Sequence, residues 1–578
     1  MEFGFNRELY PTQKRLINDA ANLIEQSKVG IFSSPTGTGK TLSLLCAATK
    51  FIKVEQDDEI FNILNNSVRT KIYYCSRTHS QLGQALNELK TNRNRYSSVI
   101  LGSRKVYCVN SKVNCHKNID VLNDNCKMLI KEDSCQFYRN FHYDQRILDI
   151  EDLRKLGQEK TFCPYYFTKN KASECDIVFL PYTLLFNKKS RESLNIDLKD
   201  KILIIDEAHN IYDAVIELNS AELRWDELRS ISQVKGLSPD LQEILKKLLD
   251  FHRTIKDESV FDIIGFLMLA KLGNYNMIEQ SDFIDANRLA VKNDMKSIFE
   301  FSKMLNLFTF SDDSGRIFVD KYKIRFTTLN PKMYFEDLKE CRSILLAGGT
   351  MEPIASLKDI FQDVLYFSYP PINENFISLV ISESSNGKLL NLNFSQRDLQ
   401  LENVVNTIIT LTNPVIRGGI VIFVPSKYFL LQIKQSKLIQ NFRRKVYFDD
   451  EISFEEFKSS PEILFSVMGG SLSEGINFSD DICRLLIIVG VPYPTKTLEF
   501  EERCKNNADY GSIAAMKTVN QTIGRAIRHK NDYAAVVLLD CRYKNLKTKL
   551  SPWVLKKTKE VSLIDGLIRV NNFLKEKK

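Results

Sequence analysis

Ser34-Pro35-Thr36-Gly37-Thr38-Gly39-Lys40-Thr41 decides the fold. An apolar run, Gly30-Ile31-Phe32, leads into it, and a helical stretch from Thr41 to Ala48 leaves it. Strand, glycine-rich turn and helix in that order make a phosphate-binding loop. The glycines let backbone N–H groups wrap phosphate oxygens, and the helix N-terminus adds a favourable field. Lys40 is placed to reach the β- and γ-phosphates of a nucleotide such as ATP, and Thr41 to ligate Mg2+. Ser34 stands where the strict pattern has glycine, a departure that leaves the chemistry intact.

Outward from this loop, strand-like runs alternate with helical periods. Lys71 to Cys75 reads as a strand followed by a helix from about Gln81, and Lys201 to Ile205 as a buried strand ending on Asp206. The rhythm restarts at Gly418 to Val424, Ile463 to Val467, Leu485 to Val489 and Ala534 to Leu539. Alternating β and α units predict doubly wound parallel sheets. Two such blocks predict an α/β fold with two RecA-like lobes. The first comprises 1–95, 176–214 and 321–355, and the second 356–578. Two stretches interrupt the first lobe: a cysteine-rich insertion over 96–175, and a mainly helical insertion over 215–320 with an amphipathic run from Asp240 to Leu249.

At 578 residues the chain is too long for a single core. With 43% hydrophobic and 26% charged residues, its composition is globular and not disordered. A formal charge of +8 permits a nucleic-acid partner without arguing for one. There is no leader-like apolar region at the N-terminus and no membrane-length apolar run, so a soluble intracellular protein with no membrane partner is expected. Twelve cysteines in a reducing compartment point to metal ligands or core residues sooner than to disulfides.

Two further motifs carry chemistry. Asp206-Glu207-Ala208-His209 ends a strand: Asp206 suits Mg2+ held through water, and Glu207 suits polarising an attacking water. In Gln521-Thr522-Ile523-Gly524-Arg525-Ala526-Ile527-Arg528, the i, i+3 spacing places Arg525 and Arg528 on one helix face. Facing a phosphate loop they suit arginine fingers, with Gly524 permitting close approach and Gln521 orienting water. Cys108, Cys126, Cys135 and Cys163 stand at spacings of 18, 9 and 28. No CxxC pair occurs among them, which disfavours a zinc ribbon. The spacing alone leaves a [4Fe–4S] cluster, zinc and no metal all open.

Taken in order, the phosphate loop, the Asp-Glu-Ala-His box and Gln-x-x-Gly-Arg-x-x-Arg resemble superfamily 2 helicases. Ser103 to Cys108 and Phe162 to Tyr166, between the loop and the box, are similar to the flanks of the first and last cluster cysteines in the XPD-like iron–sulfur DEAH-box DNA helicases. Lys71 to Gln81, Ala347 to Met351, Ser473 to Phe478 with Asn477, Val519 to His529, and Leu538 to Tyr543 look closest to the chromosome-loss (ChlR-type), cohesion-linked branch. The resemblance covers nearly the whole chain and is vague over 215–320, where that family has its Arch domain. The insert that the branch often carries between the phosphate loop and its next motif is nearly absent.

This resemblance implies an ATP-dependent enzyme that moves 5′→3′ on single-stranded DNA and unwinds forked or structured duplexes, in replication, repair and sister-chromatid cohesion. It implies a [4Fe–4S] cluster on Cys108, Cys126, Cys135 and Cys163, with Cys115 and Cys175 as non-ligands. Gln13 would read adenine, and Gly475 would lie at the nucleotide. Arg77, Thr78, Arg104, Ser426 and Tyr428 would meet DNA; Arg104, four residues before Cys108, would alternatively donate toward a cluster sulfur. Tyr107, Phe137, Tyr138, Phe162, Tyr165 and Tyr166 would pack around the cluster, with one or two free to stack on bases. Single-stranded and forked DNA, replication-fork and cohesion proteins are the implied partners, and the nucleus the implied location. A DNA-stimulated scaffold ATPase and an RNA helicase stay open as alternatives.

Overall fold

The computed structural model describes residues 9–35, 37–52, 70–90, 96–116, 118–138, 149–293, 295–371, 374–470, 478–527 and 531–577. Its first block holds β1 (Val29–Ser33), β2 (Ile72–Ser76), β3 (Ser98–Ile100), β4 (Ile177–Pro181) and β5 (Ile202–Ile205). The chain then leaves for β6 (Ala221–Arg224), β7 (Ser259–Asp262), β8 (Gly315–Val319) and β9 (Lys323–Thr328), and returns for β10 (Ser343–Gly348) and β11 (Leu365–Ser368). The returning strands complete a seven-stranded parallel sheet in the order β11-β1-β10-β5-β2-β4-β3. Apolar cores lie on both of its faces, which is why β2, β4 and β5 read as continuous apolar runs instead of alternating ones.

The second block builds another seven-stranded parallel sheet. Its strands are β12 (Phe376–Ile381), β13 (Ile420–Val424), β14 (Val446–Phe448), β15 (Ile463–Val467), β16 (Leu485–Val489), β17 (Ala534–Leu539) and β18 (Thr558–Val561). They lie in the order β14-β15-β13-β16-β17-β12-β18. Two parallel-sheet α/β lobes are therefore what the chain forms.

The lobe limits differ from the expected ones at three places. β3, inside the stretch assigned to the first insertion, is an edge strand of the first sheet, and β11, beyond residue 355, is the opposite edge. Both are short, and β11 is only partly covered, so neither shows the long apolar run that marks a central strand. The second insertion is mainly helical, as expected, but it also carries a small sheet. Its helices, Pro239–His252 and Lys296–Phe310 among them, pack on a four-stranded antiparallel sheet in the order β6-β9-β8-β7, which continues to Thr328. Ile317, Val319, Ile324 and Phe326 point into that core from the β8–β9 hairpin. Each strand supplies only two of these inward residues, and buried Phe318 between Ile317 and Val319 breaks the alternation in β8, so the period of two does not stand out in the sequence.

The cysteine-rich insertion is assembled from helices Arg104–Tyr107, Ser111–Asn114, Ile119–Lys131, Ile150–Glu159 and Pro164–Lys171. Tyr107, Leu153, Phe162 and Tyr165 sink into the core of the first lobe, while Cys108, Val113, Leu122 and Cys126 form a small core of their own. The two insertions meet where Arg288 Nε donates to Asp124 Oδ2 at 2.9 Å. Among the described residues, no helix is long and apolar enough to cross a membrane.

Candidate functional site

The phosphate loop runs from the end of β1 into helix Lys40–Thr49. Gly37 and Gly39 adopt φ of 82° and 72°, left-handed conformations that glycine takes without steric cost. Ser34 Oγ and Thr38 Oγ1 share a hydrogen bond of 2.7 Å, Thr38 Oγ1 donates to Pro35 O at 2.8 Å, and Ser43 Oγ donates to Gly39 O at 2.9 Å. The hydroxyl of Ser34, in the slot where the pattern has glycine, thus closes the loop on itself. Thr36 lies outside the described residues.

Asp206 and Glu207 follow β5, separated from β1 in the sheet only by β10. That brings both carboxylates to the loop at the carboxyl edge of the strands, where open parallel sheets place their ligands. Lys40 Nζ lies 3.5 Å from Asp206 Oδ1 and 3.5 Å from Glu207 Oε1. Burial by itself would lower the Lys40 pKa, but the two carboxylates outweigh it and hold the ammonium above its ordinary value. Asp206 is fixed on its far side by the Tyr74 hydroxyl, which donates to Oδ2 at 2.8 Å. The Tyr182 hydroxyl donates to the Asp206 carbonyl. Glu207 takes a left-handed φ of 50°, a conformation in which a residue bearing a Cβ is strained. Neither tyrosine stands out in the sequence: Tyr74 lies inside a strand-like run, and Tyr182 follows β4 with no motif of its own.

His209 Nδ1 stands 3.2 Å from Glu207 Oε2, off the line of a hydrogen bond. Burial, with Lys517 and Lys40 nearby, pushes its pKa down to about 3, so the ring is neutral at physiological pH. Gly348, at the end of β10, lets this box pack closely, since a Cβ there would stand 3.2 Å from His209 Nδ1. Gln13, on the first turn of helix Pro11–Glu25, accepts from Tyr10 N at 2.9 Å, and its amide lies against Gly39, where a Cβ would run into it.

The second lobe reaches this edge through helix Tyr510–Ile523. Gln521 is on that helix; Arg525 is not. The helix stops at Ile523 with Gly524 as its cap, and Arg525 N turns back to Thr522 O at 3.2 Å. The expected shared helix face of Arg525 and Arg528 is therefore corrected for Arg525, and Arg528 lies outside the described residues. The reason is the close approach itself: a Cβ on Gly524 would stand 3.2 Å from Thr350 Cγ2 of the first lobe. Beside it, buried Asn520 donates through Nδ2 to Glu352 O at 3.1 Å, and Ser551 Oγ donates to Glu352 Oε2 at 2.7 Å, so a small polar network joins the lobes. Gly475 and Asn477 also lie outside the described residues.

In the first insertion four cysteines share one neighbourhood. Burial raises the thiol pKa of Cys108 and Cys126, and lifts that of Cys163 to about 12. Cys126 and Cys135 are near enough to be felt at Cys108, and Cys108 and Cys126 at Cys163. Asn110 Nδ2 donates to Cys135 Sγ at 3.5 Å. Cys115 instead donates to Lys112 O on the exposed side, and Cys175 is set among Lys71, Asp176 and Lys171. Among the described residues, no group of three or more His, Cys, Asp or Glu side chains is arranged to hold a metal ion. Arg104 turns inward. Its guanidinium lies 4.3 Å from the Tyr165 ring centroid, donates to the Tyr166 hydroxyl at 3.2 Å, and stands close enough to Cys126 to lower its thiol pKa against burial. Of the two roles open to it, contact with the cysteine group is the one that the geometry displays.

Arg77 and Thr78 are exposed at the carboxyl end of β2, where Gln81 Oε1 accepts from Ser76 Oγ at 2.8 Å and from Thr78 N at 3.2 Å. Ser426, after β13, caps helix Lys427–Gln435 by accepting from Phe429 N at 3.2 Å, and Tyr428 is exposed on its first turn. The candidate strand contacts thus lie at matching edges of the two sheets.

Comparison with known proteins agrees with this architecture. The DEAD_2 family matches residues 74–228, and the Helicase C-terminal domain matches residues 409–557. ATP-dependent DNA helicase CHL1 of Vanderwaltozyma polyspora is 30% identical, over 87% of this chain and 74% of that protein. ATP-dependent DNA helicase chl1 of Schizosaccharomyces pombe is 29% identical, over 84% of this chain and 72% of that protein. Among solved structures, an XPD helicase superimposes with a TM-score of 0.67 at 21% identity, over 96% of this chain and 100% of that one. Xpd4 of S. tokodaii gives 0.56 at 16% identity, over 96% of this chain and 100% of that one. With its two lobes, their motifs and most of its length shared with these helicases, the chain belongs to the family of ATP-dependent DNA helicases named CHL1.

Proposed function

We propose that the chain uses ATP to move 5′→3′ along single-stranded DNA and to open forked or structured duplexes. The observation that carries this reading is the Lys40 ammonium, 3.5 Å from both Asp206 and Glu207, at the edge where Gly524 of the second lobe meets Thr350 of the first. Burying one ammonium with two carboxylates leaves a net negative charge, which suits a site built to receive a cation. ATP with Mg2+ brings a polyphosphate for Lys40 and a divalent cation for Asp206, so both side chains exchange their present partner for one of opposite charge. Thr41 and Asp206 would hold the Mg2+. Glu207 accepts a proton from the attacking water, which Gln521 helps to orient. Arg525 and Arg528 bring positive charge to the γ-phosphate as the lobes close, and Gln13 holds the adenine. Ser34, Pro35, Thr36, Gly37, Thr38, Gly39 and Gly475 line the nucleotide. Arg77, Thr78, Ser426 and Tyr428 grip the strand from the two lobes in alternation.

Cys108, Cys126, Cys135 and Cys163 would hold a [4Fe–4S] cluster. A single tetrahedral ion draws thiolates to about 2.3 Å from a common centre. A four-iron cubane has a body of its own, and so suits thiols that share a neighbourhood without converging on a point. Bound there, the cluster would staple the short helices of the first insertion into a rigid unit beside the DNA path. The unit over β6–β9 and its helices is the Arch, meeting the cluster domain at Arg288 and Asp124. Work in replication, repair and sister-chromatid cohesion, with partners among those proteins and a nuclear location, is the cellular role we assign, and the likeness to the chromosome-loss branch supports it.

The test offers forked duplexes with only a 5′ or only a 3′ single-stranded tail, with ATP and Mg2+. Opening of the 5′-tailed fork alone is expected. Strong DNA-stimulated hydrolysis with neither fork opened would make the protein a scaffold ATPase, and preference for RNA in competition would make it an RNA helicase. Anaerobically purified protein should carry about four irons per chain; stoichiometric zinc would overturn the cluster.

A further inference from the structure

The second lobe carries an aromatic surface that nucleotide chemistry does not use. Phe394 is 82% exposed and Tyr428 is 57% exposed. Tyr428 stands two residues after Ser426 at the carboxyl end of β13, and Phe394 lies in the segment that follows β12 and crosses the same edge of the sheet. That crossing is anchored. Leu390 and Leu392 are buried in the core, Leu392 N donates to Asp540 Oδ2 at 3.3 Å, and Arg542 Nη2 donates to Leu392 O at 3.0 Å. The chain then turns tightly, with Gln396 N donating to Asn393 Oδ1 at 2.9 Å and Arg397 N to Asn393 O at 2.9 Å. A built turn therefore holds the Phe394 ring out in water.

The Arg397 guanidinium lies 5.0 Å from the Phe394 centroid and 5.9 Å from that of Phe429, tying the exposed ring to the helix that carries Tyr428. Arg397 Nε pairs with Asp398 Oδ1 at 3.5 Å, while the buried atoms Asn391 Oδ1, Gln400 Oε1 and Gln432 Oε1 have no hydrogen-bond partner. Buried polar atoms are seldom left so in a finished surface. Exposed ring faces, a fixed cation and open hydrogen-bonding atoms are the chemistry that single-stranded nucleic acid meets, stacking its bases on aromatics while cations follow its backbone. The position agrees, because ligands of parallel sheets gather at the carboxyl ends of strands.

We propose that Phe394 and Tyr428, with Arg397 fixed beside Phe394, form a platform on which bases of single-stranded DNA stack against the second lobe. This rests on the DNA-helicase reading and adds to it a place where the strand is held by its bases. The test uses the full-length chain and fluorescence anisotropy with an oligothymidylate and a matched strand whose central residues are abasic. The wild type should bind the abasic strand about tenfold more weakly. Phe394→Ala should lose about tenfold on the normal strand and no longer distinguish the two, and Phe394→Trp should restore both properties. Phe394→Ala binding and discriminating like the wild type overturns the platform alone. So does an equal loss in Leu399→Ala, a neighbour 85% exposed that cannot stack, because the surface would then be a general apolar contact. A wild type that binds neither strand overturns the DNA reading and the platform with it.

Discussion

Lys40 and Cys126 are both buried, and the surroundings that bury them differ in kind. Around Lys40, two carboxylates pair with the ammonium, two tyrosine hydroxyls bond Asp206, and the loop's own serine and threonine bond each other, all on a seven-stranded sheet with cores on both faces. Around Cys126 there are other thiols, Arg104 and a core whose fully buried members are Cys108, Val113, Leu122 and Cys126 itself. The first region carries its own stability, and its functional groups are matched by groups of the protein. The second has little apolar area of its own, about 25 cal/mol for each Å² removed from water, and its thiols have mainly one another. Damage to the nucleotide edge should therefore stop chemistry and leave the fold, whereas damage to the cysteine group should loosen the fold locally and leave nucleotide chemistry.

The strongest attempt to break this contrast is Lys40→Ala. ATP hydrolysis should fall by on the order of 10³-fold or more, because charge that shifts in the transition state loses its counter-charge. Iron content and the main thermal transition should stay. Wild-type turnover in a folded mutant would remove Lys40 from the chemistry.

Cys126→Ser or Cys135→Ser tests the other side. Both should lose iron and duplex opening together, while ATP binding persists, since a hydroxyl replaces a thiolate poorly as an iron ligand. Limited proteolysis should then cut first within residues 104–171. A full iron complement in either variant would pass its ligand role to Cys115 or Cys175.

Arg525→Ala sharpens the comparison by asking whether the second lobe completes the nucleotide edge. Turnover should drop on the order of 10²-fold, more than nucleotide affinity. Weakened DNA binding with intact turnover would turn this arginine toward the strand.

The smallest effect is expected of Arg104→His, a change of about tenfold in duplex opening with basal hydrolysis little affected. The imidazole cannot both stack over Tyr165 and reach Tyr166 and Cys126 as the guanidinium does. Unchanged iron content and unwinding would leave Arg104 as packing alone.

Much of this molecule is local in origin, and that part was legible in the sequence. The phosphate loop, the carboxylate pair after β5 and the central strands β2, β5, β13, β15, β16 and β17 announce themselves because backbone geometry and burial on two faces impose their patterns on contiguous residues. The edge strands β3 and β11 did not, being short, with β11 only partly covered, and neither did the hairpin of the second insertion, whose strands each send only two residues into the core from an interrupted alternation. Tertiary structure alone brought Tyr74 and Tyr182 to Asp206, turned Arg104 in toward Cys126, ended the second-lobe helix before Arg525, and grouped four cysteines while leaving Cys115 and Cys175 apart. Each of these depends on residues distant in the chain whose meeting is set by sheet order and lobe contact, and no spacing along the sequence encodes such a meeting.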